Sequence, residues 1–61
     1  MLIMLVERHL RNTGMAPTTF GRQAIGDPRL VGDLRNGRQP RHATEQRILA
    51  HMASHYERQA R

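Results

Sequence analysis

The sequence predicts a small all-α domain of four helices. Three observations carry that reading. Apolar residues recur at helical spacing in four separate stretches, each stretch is bounded by a proline or a glycine, and β-branched runs that would build strands are absent. The chain has 61 residues, so it makes one domain at most, over residues 1–61. A chain of this length buries only about 60% of the surface its unfolded form exposes, so the core is modest and partner binding is expected to add stability.

The first helix is predicted at about residues 2–13. "LIMLVERHLRN" places Leu2, Val6 and Leu10 on one stripe, with Ile3 and Leu5 flanking it, and Gly14 stops the helix. The second, at about 17–24, lies in "APTTFGRQA". Pro17 suits the first helical turn, where a missing N–H costs nothing. Phe20 and Ala24 form an inward i, i+4 pair. Gly21 beside them costs about 1 kcal/mol relative to alanine, which makes sense where another helix backbone comes close.

The third helix, at about 28–36, lies in "IGDPRLVGDLRNGR". The Asp27 carboxylate is expected to cap it, Pro28 to occupy its first position, and Gly37 to provide a left-handed exit. Val31 and Leu34 fall together at helical spacing, with Leu30 on their flank. The opposite side collects Arg29, Gly32, Asp33 and Asn36, so one face is buried and the other presented. The fourth helix, at about 43–58, places Ile48, Leu49, Met52 and Tyr56 along one side, after a linker, "GRQPRH", that carries Arg38, Arg41 and His42 without an acid.

Charge narrows the function. Ten arginines face five acids, there is no lysine, and the formal charge is +5. An excess of this sign on so small a body favours a polyanion, with nucleic acid the leading candidate. The chain has no cysteine, which excludes a disulfide framework and a thiolate metal site. His9, His42, His51 and His55 remain as metal donors. His51 and His55 share a helix face, but no acid lies between them and no third ligand is evident, so no metal or other cofactor is expected. Met1, Met4, Met15 and Met52 are read as packing residues. The apolar opening "MLIMLV" is too short to span a bilayer and has no basic leader or cleavage site, so a cytoplasmic protein is expected. No nucleophile in a plausible setting, carboxylate pair or phosphate-binding loop is present, and an enzyme is not expected.

The run "GMAPTTFGRQAIGDPRLVGDLRNGRQP" resembles the helix-turn-helix of Cro/C1-type (XRE-like) repressors of phage and bacteria. Gly14-Met15 corresponds to the Gly-Leu start of that pattern, Phe20-Gly21 to its Leu-Ala, Val31 and Leu34 to its paired aliphatics, and Asn36-Gly37-Arg38 to its exit. Pro40, Thr44, Ile48 and Met52 match the closing helix. The likeness covers residues 14 to 52 without a gap. It departs at Ile25, where the family usually has glycine, and at Gly26, where it has an aliphatic. Pro17 stands where the family often has a polar phosphate contact, a role the resemblance passes to Thr18 or Thr19.

The resemblance implies a lambda-repressor-like fold and a sequence-specific regulator, expected to be a repressor, that binds double-stranded DNA in the nucleoid. Its third helix would lie in the major groove. Arg29 would read guanine, Gly32 would let the backbone sit deep, and Asn36 would reach a base or a phosphate. Asp33 has two readings, a hydrogen bond from cytosine or an i, i+4 pair steering Arg29, and the second costs less repulsion. Arg35, Arg38 and Arg41, with Thr18 and Thr19, would grip phosphates. A homodimer is expected, because one module reads few base pairs; its contact would be the last helix or residues 1–6. The rival reading is a protein-interaction module, antitoxin-like or anti-repressor, whose basic face binds an acidic protein.

Overall fold

Four helices account for the chain in the expected order: α1 (Leu2–Thr13), α2 (Pro17–Ile25), α3 (Leu30–Arg35) and α4 (His42–Gln59). The structure, a computed structural model, describes residues 1–59; Ala60 and Arg61, the last two of the expected domain, lie outside them. Among the described residues there is no strand. No helix there is long and apolar enough to cross a membrane.

The core draws on every helix. Val6 and Leu10 come from α1, Phe20 and Ala24 from α2, Leu30, Val31 and Leu34 from α3, and Ile48 and Met52 from α4. Full burial of an aliphatic or aromatic side chain contributes about 1.5–3 kcal/mol, so these residues supply most of what holds so short a chain together. Phe20, Val31, Leu34, Ile48 and Met52 are all buried, as their spacing predicts. Phe20 lies on α2, the central helix, which packs against both α3 and α4, while α1 leans on α3.

Three expectations about packing need correction. Leu5 is 48% exposed, and the buried flank of α1 is His9 instead. At 100° per residue, His9 lies about 60° from the direction of Val6, whereas Leu5 lies about 100° away. Met1 and Met4 are 89% and 67% exposed, so only Met15 and Met52 of the four methionines pack against the core. Tyr56 is 46% exposed rather than lining the core with Ile48 and Met52. Leu5 and Tyr56 border an apolar groove of about 410 Å³ between α1 and α4, lined also by Leu49 and Ala53 and flanked by Arg8.

Candidate nucleic-acid interface

The α2–turn–α3 unit is built around a missing side chain. A Cβ on Gly21 would overlap the backbone carbonyl oxygen of Asp27 and crowd Leu30 Cβ at 3.2 Å. The glycine therefore admits a close approach, as expected, but the neighbour is the turn rather than a helix. α2 runs one residue further than predicted, to Ile25, and Gly26 leaves it at φ 72°. The Asp27 N–H then donates back to the Gly21 carbonyl at 3.1 Å. This is how the "IGDP" sequence accommodates Ile25 and Gly26 in positions where the resemblance leads one to expect glycine and an aliphatic.

α3 is shorter than predicted because its approach is a tight turn. The Asp27 carboxylate, expected to cap the helix, instead closes the turn before it: it accepts the Arg29 backbone N–H at 2.9 Å, while Arg29 is the N-cap of α3 and has no side-chain cap. The Asp27 carbonyl accepts Leu30 N–H at 3.2 Å in an i→i+3 bond, so Pro28 and Arg29 form a turn and the helix proper starts at Leu30. Its apolar side is fully committed to the core. Arg29, Gly32 and Asn36 are exposed and Asp33 is half-buried, so the presented face forms as expected. Nothing lies within 4 Å of where a Gly32 Cβ would stand. A mid-helix glycine with open space above it costs about 0.5–1 kcal/mol and has no packing reason inside the chain.

The far end of α3 carries a second built feature. Gly37, at φ 94°, turns the chain back. Its N–H donates to the Leu34 carbonyl at 3.1 Å and the Arg38 N–H to the Asp33 carbonyl at 3.0 Å. This is a Schellman cap, in which an apolar contact usually joins the two outer residues. Here that contact is ionic: Arg38 donates to the Asp33 carboxylate at 2.8 Å, and Asp27 stands 3.9 Å away on the other side. The expected steering of Arg29 by Asp33 is thus corrected. The left-handed turn delivers Arg38 to that carboxylate first, and Arg29 is fixed through its backbone to Asp27 instead.

Arg35 is committed as well. Its Nε and one terminal nitrogen hold the two oxygens of Glu7 at 2.9 and 2.8 Å, tying α3 to α1. The hydrogen bond from Arg35 keeps the Glu7 carboxyl below its ordinary range, helped by the charges of Arg35 and Arg11 and opposed by desolvation. The same pair raises the Arg35 pKa above its ordinary value. Each guanidinium has five N–H donors, so Arg35 and Arg38 both retain donors for a further acceptor.

The remaining expected phosphate contacts are exposed. Thr18 and Thr19 follow Pro17 in the first turn of α2, and the first intrahelical bond there runs from Phe20 N–H to the Ala16 carbonyl at 3.0 Å. Their backbone N–H groups are therefore helix-terminus donors. Arg41 stands exposed just before α4.

Two acceptors around α3 lay outside the sequence reading: Glu7, and Asp27 in its second role beside Arg38. Counted with Asp33, three carboxylates surround α3: Glu7 holds the Arg35 guanidinium, Asp33 and Asp27 flank that of Arg38, and Arg29 meets Asp27 through its backbone N–H alone. Exposed Arg8, Arg11, Arg22, Arg29, Arg41 and Arg47 form no ion pair among the described residues. Among those residues no group of three or more His, Cys, Asp or Glu is arranged to hold a metal. No family model, curated protein or solved structure matches this chain.

Proposed function

We propose that the chain is a sequence-specific, double-stranded DNA-binding regulator that seats α3 in the major groove. The observation that carries this is the division of α3. Leu30, Val31 and Leu34 anchor it, while Arg29, Gly32 and Asn36 share an exposed edge with no bulk at its centre. A groove about 12 Å wide admits a helix, and one stripped of side chain at mid-face can sit closer to the bases.

Arg29, at the N-terminal end, reads guanine O6 and N7, and Asn36 reaches a base or a phosphate. Arg38, held by Asp33, presents its remaining N–H groups to a phosphate, as does Arg41. Thr18 and Thr19 contribute backbone and hydroxyl donors from the start of α2. Occupancy of a promoter by such a domain represses transcription and places the protein with the nucleoid. A homodimer, using the exposed Met1, Met4, Leu5 and Tyr56, supplies the second half-site.

Selection of binding sites from a random duplex pool, followed by salt titration on the enriched sequence, tests the proposal. The expected result is an enriched palindrome, with the logarithm of the binding constant falling linearly against the logarithm of salt. No enrichment at low salt would turn attention to the second reading, an interaction module for an acidic protein. The apolar α1–α4 groove flanked by Arg8 favours that reading.

A further inference from the structure

His9 is 2% exposed, and among the described residues neither ring nitrogen has a hydrogen-bond partner. Buried polar groups are nearly always paired, so this one stands out in a core otherwise made of apolar side chains. Its ring lies against Phe20 of α2 at 5.4 Å and meets His55 and Tyr56 of α4 edge-on at 5.2 and 5.6 Å. His51 packs on Phe20, edge-on at 5.6 Å. Three imidazoles thus gather where α1, α2 and α4 meet.

Among the described residues, the groups around His9 offer no anion to neutralise a charge. From α4 come His51, His55 and the Tyr56 phenol, from α2 comes Phe20, and Arg8 lines the groove beside it on α1. On α1 itself, the neighbouring carboxylate of Glu7 is held by Arg35. Burial, then the charges that His55 and His51 acquire on protonation, keep the His9 pKa below its ordinary value of 6.5. The α1–α4 seam it bridges is also weakly packed, with the apolar groove opening beside it.

We propose that His9, packed against Phe20, His55 and Tyr56, is a proton-sensitive clasp, closed when its imidazole is neutral and opened by acid, which detaches α1 from α2 and α4. A proton on His9 must either stay buried beside two other imidazoles or bring its ring into water. The second course withdraws Val6 and Leu10, on the same face of α1, from the core. The direction follows from linkage. The folded state binds fewer protons than the unfolded one, so stability is complete above pH 6.5 and declines as pH falls below it.

The test is reversible unfolding between pH 8 and 5, for the wild type and for His9→Phe, which keeps an aromatic ring without nitrogens. The wild-type unfolding constant is expected to rise by up to about tenfold per pH unit below pH 6.5, and His9→Phe to show a shallower rise. Equal slopes would overturn the proposal. Wild-type histidine NMR gives a second reading should His9→Phe not fold. The proposal expects the His9 ring signal to stay in its neutral position until native α1 amide signals are lost. A native-state titration of His9 near 6.5 with α1 intact would overturn it.

Discussion

Arg38 and Asp33 meet at 2.8 Å across the left-handed turn at Gly37, five residues apart and outside the reach of any i, i+4 rule. Both side chains are more than a third exposed, so the pair contributes at most about 1 kcal/mol to stability. Its larger effect is on where the guanidinium points. Asp33→Asn is expected to change the melting temperature little. It also removes a negative charge beside DNA, so affinity for random duplex should rise. An unchanged affinity in a filter-binding or anisotropy titration would contradict the placement of the Asp33–Arg38 pair at the interface.

Gly21 and Gly32 lie on neighbouring helices and should respond oppositely to a methyl group. Gly21→Ala drives a Cβ into the Asp27 carbonyl and is expected to destabilise the fold by about 1–3 kcal/mol. Gly32→Ala meets open space and is expected to stabilise it by about 0.5–1 kcal/mol. Urea denaturation checks both. The functional contrast lies in Gly32→Leu, which should fold normally and lose specific DNA affinity because its side chain holds the helix out of the groove.

Arg29 and Arg38 should separate by specificity. Arg29→Ala is expected to cost about 1–3 kcal/mol on the selected sequence and little on random duplex. Arg38→Ala should weaken binding to all sequences and flatten the salt slope by about one unit. Equal losses for Arg29→Ala on both duplexes would reassign that residue to a phosphate.

The Glu7–Arg35 tie carries its own pH dependence. The Glu7 carboxyl is held below its ordinary value of 4.5, so its stabilising effect is complete above pH 4.5 and fades as pH falls through the lowered value. Glu7→Gln should lower the melting temperature at neutral pH and reduce the loss between neutral pH and strong acid. Thermal melts across that range read the difference, and parallel curves for the two proteins would show that the tie does not stabilise the fold.

Much of the fold was legible because helical periodicity is local. The spacing of Val31 and Leu34, and of Phe20 and Ala24, needs only 3.6 residues per turn, and Asp-Pro and Asn-Gly mark the limits of α3 within a residue or two. The exposed edge of α3 followed from the same arithmetic. What stayed hidden depends on tertiary geometry. Arg35 finds Glu7 28 residues away, and Arg38 finds Asp33 only after a left-handed turn. His9 was within reach, since it lies nearer the Val6 direction than Leu5 does. A polar residue type concealed it, because a ring with two hydrogen-bonding nitrogens is not expected to be buried without partners.

Titration of a selected operator duplex into isotopically labelled protein, followed by amide NMR, asks directly which surface meets DNA. The largest shifts are expected from Arg29 to Asn36, with smaller ones at Thr18 and Thr19, while the α1–α4 groove responds only where dimer contacts tighten. Shifts concentrated on Leu5, Leu49 and Tyr56 with α3 unmoved would show that this helix does not enter the groove.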